Sequence, residues 1–126
     1  MRCRKGSASI EFALVGSVFF MVLIGTIEVG RLYFTQQSLR EATAAAARSA
    51  MLDPALSGCV QPAAGIVAAT PFLRPAALRL CVARSVSAGR TTLTIDAAYP
   101  FTSVLSVLQL SDDTLTEHTT VTYIAD

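Results

Sequence analysis

Residues 12–27 carry no charge and are mostly large and apolar, and a glutamate stands at each end of this run, Glu11 before it and Glu28 after it. A membrane helix needs about 20 such residues, with a range of about 17 to 25. The run alone is slightly short, but residues 8–10 and 29–30 are weakly polar and extend it to a full crossing. The chain has 126 residues, enough for one small domain but not for two full cores. One domain plus a tethering segment therefore fits the length. The glutamate at the mouth of the run needs an explanation, because a carboxylate deep in a bilayer costs a few kcal/mol.

Charge sets the direction of crossing. The formal net charge is only +1, which gives no global argument for nucleic acid or for an acidic ligand. Its distribution is uneven: Arg2, Arg4 and Lys5 precede the run, and without residues 1–6 seven basic and nine acidic residues remain. By the positive-inside rule the N-terminus stays cytoplasmic and the remainder crosses. Arg31 is a single opposing charge on the far side. A secretory signal peptide also has a basic start and an apolar middle, but the first convincing Ala-x-Ala set begins at Ala42, beyond Glu28, Arg31 and Arg40. That is too far past the apolar run for such cleavage.

Helix-forming sequence continues beyond the run. "RLYFTQQSLREATAAAARSAML" contains no Gly or Pro and places Leu32, Gln36, Leu39, Thr43 and Ala46 along one face. The spacing predicts one helix from about Ser7 to Leu52, roughly 70 Å long, about half of it outside the membrane. "DPALSG" ends it, since Pro54 disfavours helical geometry at Asp53 and Gly58 marks a turn. Ala42 and residues 44–47 form an alanine cluster, read either as plain helix propensity or as a small-residue surface for another helix.

Downstream the pattern changes to Pro-rich loops and then to period-two alternation. "ALRLCVARSV" and "TTLTIDAAY" flank "SAGR", so residues 77–86 and 91–99 read as a β-hairpin with Gly89 in its turn. Pro100 opens a short helix with Val104, Leu105, Leu108 and Leu110 as its apolar face, and "EHTTVTYIAD" supplies a third strand. The fold class is α+β: a long N-terminal transmembrane helix extending into a small antiparallel sheet. So small a sheet needs the exposed half of the helix to complete its core. Of the three cysteines, Cys3 precedes the run, whereas Cys59 and Cys81 follow it and can pair if that part is exported. Such a bridge closes a loop of about 23 residues and adds roughly 3 kcal/mol by the chain-entropy estimate.

No residue pattern argues for catalysis. There is no C-x-x-C, P-loop, G-x-S-x-G, dinucleotide fingerprint or H-E-x-x-H. The single histidine, His118, stands among threonines as a surface or half-buried strand residue, and Asp112 with Asp113 reads as a solvated turn. No catalytic residue, metal ligand or cofactor is expected, and an exported enzyme is the weakest functional reading.

Glu11 returns here as the informative residue. A capping box fails by one position, since Ser7 lies four residues before it, Ser9 two before it, and Ala8 in between. Interaction with the positive end of the helix is worth only about 0.3 to 1 kcal/mol. A third explanation starts from Gly6. A cut after it leaves Ser7 as the new first residue, with a free ammonium that needs a carboxylate partner in low dielectric, and Glu11 lies one helical turn along.

"KGSASIEF" followed by the apolar run resembles the processing site of type IV prepilins, in the Glu-aromatic variant of the type IVb group formed here by Glu11 and Phe12. The continuation "IEVGRLYF" resembles the TadE-like family of minor pseudopilins of tight-adherence (Flp) pilus systems, and "LTIDAAYPFTSVL" is similar to that family's C-terminal strand and turn. The mature start, Ser7-Ala8-Ser9, departs from the usual alanines.

The resemblance implies a pilin-like fold in which residues 1–6 are a basic leader, 7–30 the transmembrane part of the helix, 31–53 its exported part and 54–126 a small periplasmic α+β domain. It implies cleavage between Gly6 and Ser7 by a prepilin peptidase, a recognition or assembly role for Glu11 and Phe12, and a boundary motif of Glu28, Gly30 and Arg31; for Glu28 the i,i+3 spacing itself suggests only a modest intrahelical pair with Arg31. The implied partners are the peptidase, other pilins or pseudopilins, the inner-membrane assembly platform and the lipid bilayer, with no nucleic acid. The implied location is the inner membrane in a single pass, with the globular domain outside the cytoplasm or incorporated in the pilus. The alternative from another functional class is an uncleaved single-pass anchor whose exported domain binds an envelope partner.

Overall fold

A computed structural model describes residues 5–60, 66, 70, 72–103 and 114–124. The chain divides into two units, Met1–Arg31 and Leu32–Asp126. One helix, α1 (Lys5–Leu52), contributes to both, and four strands follow it: β1 (Gly58–Val60), β2 (Arg79–Ser87), β3 (Arg90–Pro100) and β4 (Thr114–Ile124). The expected class, a long apolar helix followed by an antiparallel sheet, is what the structure has.

In the first unit the helix is apolar on every side. Phe12 is 81% exposed and Met21 72%, and Leu14, Val18, Phe19 and Phe20 are exposed with them. Mean hydropathy reaches 2.2 over 18 residues, in a helix long and apolar enough to cross a membrane. Two of its hydroxyl side chains turn back on their own backbone. Ser17 Oγ donates to the Leu14 carbonyl at 2.8 Å and Thr26 Oγ1 to the Val22 carbonyl at 2.8 Å. In hydrocarbon, where no water can satisfy a hydroxyl, such bonds keep Ser and Thr tolerable.

In the second unit the helix becomes one-sided. Leu39, Ala42, Thr43, Ala46, Ala47 and Ala50 are buried, and they join Leu80 and Val82 of β2 and Leu93, Ile95, Ala97 and Tyr99 of β3 in one core. Of the alanine cluster, Ala42, Ala46 and Ala47 pack on the chain's own sheet with Ala45 partly buried beside them, while Ala44 is exposed. The buried face is rotated from the expected one, because Gln36 is exposed while Thr35 and Ser38 are buried. Alternate Leu and Ala spacing fixed the face only to within about one residue, and fit to the sheet decided it. Thr43 is tolerated at 1% exposure because its Oγ1 donates to the Arg40 carbonyl at 2.8 Å and receives Thr119 Oγ1 at 3.4 Å.

The helix ends where Pro54 requires. Asp53 N still donates to the Ser49 carbonyl, and Asp53 Oδ1 then accepts the Ala55 N–H at 2.9 Å, turning the chain. No basic residue occupies the last helical turn. Arg84, on β2, takes that place from across the core: Nη2 donates to the Ala50 carbonyl at 2.7 Å and Nη1 to the Tyr123 hydroxyl at 3.1 Å. A cation thus meets the negative end of the helix and satisfies one of its orphan carbonyls.

The sheet order is β1-β2-β3-β4, every neighbour antiparallel. The β2–β3 hairpin is the expected one with slightly different bounds. Its turn is the two residues Ala88 and Gly89, both at positive φ (50° and 74°), between paired Ser87 and Arg90. That conformation matches strand twist in a two-residue hairpin and suits Gly89 better than Ala88. The expected last strand is β4, beginning at Thr114 instead of Glu117.

Two expectations for this region need correction. Gly58, read as a turn, opens the strand β1, which no alternation in the sequence announces; it holds φ 89°, so it turns the chain and begins pairing at once. Pro100, read as a helix start, is the last residue of β3, paired with Thr114 at the sheet end, where its missing N–H is tolerated. The expected helix that follows, with Val104, Leu105, Leu108 and Leu110, lies outside the described residues, as do Asp112 and Asp113.

Candidate functional site

The candidate residues fall into three separate places. Gly6 and Ser7 lie in the first turns of α1 by backbone, followed one turn later by the exposed Glu11 and Phe12. Glu28, Gly30 and Arg31 lie at the other end of the apolar run. Glu28 lies seventeen helical steps beyond Glu11, roughly 25 Å at 1.5 Å per residue, so the two glutamates form no common site.

At the C-terminal end of the run Glu28 is only 4% exposed, and Arg31 Nη1 donates to its Oε2 at 2.9 Å. This is the i,i+3 pair; such pairs stabilise an isolated helix by a few tenths of a kcal/mol. The Arg31 side chain is 45% exposed. The guanidinium therefore reaches toward solvent while neutralising a carboxylate that is shielded. At Gly30 an added Cβ would meet nothing within 4 Å, so no close contact inside the chain demands glycine there.

Cys59 and Cys81 are bonded, and they are direct partners in the β1–β2 register, 22 residues apart in sequence. The bridge ties the three-residue strand β1 to β2. A disulfide belongs to an oxidising compartment.

One polar constellation on the sheet was not anticipated. Asp96 and His118 are register partners on β3 and β4, with Oδ1 and Nδ1 2.7 Å apart, and His118 Nε2 lies 3.1 Å from Thr120 Oγ1. Carboxylate, imidazole and hydroxyl stand in the order of a nucleophile triad. They stand on an open face, however, with the His118 and Asp96 side chains 61% and 58% exposed. Water competes for every member, and an exposed pair of this kind is worth about 0–1 kcal/mol of cross-strand stability. His118 is thus the surface strand residue it was expected to be. Among the described residues no group of three or more His, Cys, Asp or Glu is placed to hold a metal ion.

These elements define an α+β protein with a membrane-length N-terminal helix and a disulfide-bonded antiparallel sheet. A family model described as TadE-like protein matches residues 6–48, about a third of the chain and most of α1. The N-terminal helix is thus similar to that of TadE-like proteins, the resemblance its residues suggested. No curated protein and no solved structure matches the chain.

Proposed function

We propose that this chain is a minor pilin or pseudopilin of a tight-adherence (Flp, type IVb) pilus, matured by a prepilin peptidase that cuts between Gly6 and Ser7. The observation that carries the reading is the TadE-like match over residues 6–48, which contains Gly6, Ser7, Glu11, Phe12, Glu28, Gly30 and Arg31. In this reading residues 1–6 are removed on the cytoplasmic side, residues 7–30 span the inner membrane once, and residues 54–126 lie in the periplasm. Its partners are other pilins and the inner-membrane assembly platform.

The physics of the N-terminus supports this assignment. Glycine in a helix costs about 0.5–1 kcal/mol relative to alanine, and the first turn of any helix frays, so opening the backbone at Gly6 for a peptidase is cheap. The cut creates an ammonium at Ser7. At 4 Å from a carboxylate, the pair gains about 4 kcal/mol at an effective dielectric of 20, against about 1 kcal/mol in water. That gain offsets the few kcal/mol that a carboxylate costs inside a bilayer. Glu11 of a staggered neighbour then meets the new amine and fixes the register between subunits.

Glu11→Ala tests this role. The variant is expected to be cut after Gly6 and to fail in assembly, read by N-terminal mass and by the yield of sheared filaments. A variant that is not cut would place the carboxylate in peptidase recognition instead. One that is cut and assembles normally would remove Glu11 from the mechanism.

A further inference from the structure

Three large aromatic side chains of the second unit are exposed together. Tyr33 is 65% exposed, Phe34 55% and Phe72 63%. Phe34 stacks on Phe72 with ring centroids 5.6 Å apart, and Tyr33 meets Phe34 edge-on at 6.2 Å. Phe72 is turned outward by its surroundings. The flanking Thr70 and Leu73 are 1% and 6% exposed, the Leu73 N–H donates to the Thr70 carbonyl at 3.1 Å, and Arg74 N donates to the Tyr99 hydroxyl at 3.3 Å. The loop is thus tied to the core on both sides of a phenylalanine that stays out of it.

We infer that Tyr33, Phe34 and Phe72 form an interfacial aromatic anchor that seats this unit on the bilayer, with the rings in the headgroup layer. The inference rests on the membrane-anchor reading of α1 and adds to it a lipid contact made by the globular part. Continuity along the helix supplies the depth. Tyr33 and Phe34 lie three and four residues beyond Gly30, about 4.5 to 6 Å at the helical rise, and the headgroup layer extends about 5–7 Å beyond the hydrocarbon on each side. Tyrosine favours this layer, which takes its apolar ring and polar hydroxyl together, and the two phenylalanines add apolar area beside it. Arg74, exposed two residues after Phe72, suits anionic headgroups.

The chain contains no tryptophan, so a single introduced indole reports on its own surroundings. Full-length Phe72→Trp, Tyr33→Trp, Phe19→Trp and Val86→Trp are each reconstituted into phosphatidylcholine–phosphatidylglycerol vesicles. They are then quenched by lipids brominated at shallow or deep acyl positions and by aqueous iodide. Phe72→Trp and Tyr33→Trp are expected to be quenched by shallow bromines, with an iodide quenching constant severalfold below that of Val86→Trp, whose site is 71% exposed on the hairpin. Deep quenching of Phe19→Trp establishes the span independently. If Phe19→Trp is quenched while Phe72→Trp follows Val86→Trp, or is shielded from iodide and bromine alike, the anchor proposal is overturned and the span stands. If Phe19→Trp escapes deep bromines, both fall.

Discussion

Gly6→Leu is expected to leave the chain uncut. The substitution places a branched side chain beside the proposed scissile bond, where the native residue offers a peptidase bare backbone. It does not weaken the helix, since leucine is favoured over glycine by roughly 0.8–1 kcal/mol in helical positions. Residues 8–30 are unchanged, so membrane insertion continues. The variant therefore accumulates in the membrane at full-length mass, with no species beginning at Ser7 and no contribution to filaments. Normal processing of Gly6→Leu would refute the assigned site. A variant that stays uncut yet fully functional would instead favour an uncleaved anchor whose exported domain binds a partner.

The second large effect lies in the sheet. Leu93 is 0% exposed on β3, one of the two strands that pair on both sides, with Arg84 and Val121 as its register partners. Leu93→Ala removes buried methyl groups and leaves a cavity, which costs about 2–5 kcal/mol. Against a total of about 5–15 kcal/mol for ordinary domains, that is a large share. Urea unfolding of the full chain in detergent, followed by proteolysis of the globular unit, should show the midpoint fall accordingly. Val86→Ala, at 71% exposure, should move it by no more than about 0.5 kcal/mol. Equal effects from the two variants would mean that β3 is not the centre of the core.

Much of this architecture is legible in the residues because the signals are periodic and strong. The apolar run between Glu11 and Glu28 reads as a membrane-length helix at once, and alternation in "TTLTIDAAY" gives β3 its buried Leu93 and Ile95. Pro54 stops the helix at Leu52, where expected. What the sequence conceals is pairing at a distance. β1 is three residues long, too short for any alternation, and its existence rests on the Cys59–Cys81 bond and on pairing with β2.

Long-range polar partners are equally hidden. Nothing local announces that Arg84 meets the helix end at Ala50, 34 residues away, or that Asp96 and His118 are register partners. The same applies to Phe72, which sits in a Pro-rich loop and acquires meaning only when stacked on Phe34. The candidate processing residues are the reverse case. Gly6, Ser7 and Glu11 are legible through motif and spacing alone, because the role proposed for them concerns a peptidase and neighbouring subunits more than contacts within this fold.

The N-terminal mass of the protein purified from membranes, with and without a co-expressed prepilin peptidase, tests the central claim most directly. With the peptidase the chain should begin at Ser7, and without it at Met1. A chain that begins at Met1 in both preparations, or near Ala50 in either, would contradict maturation at Gly6 and the pilin assignment built on it.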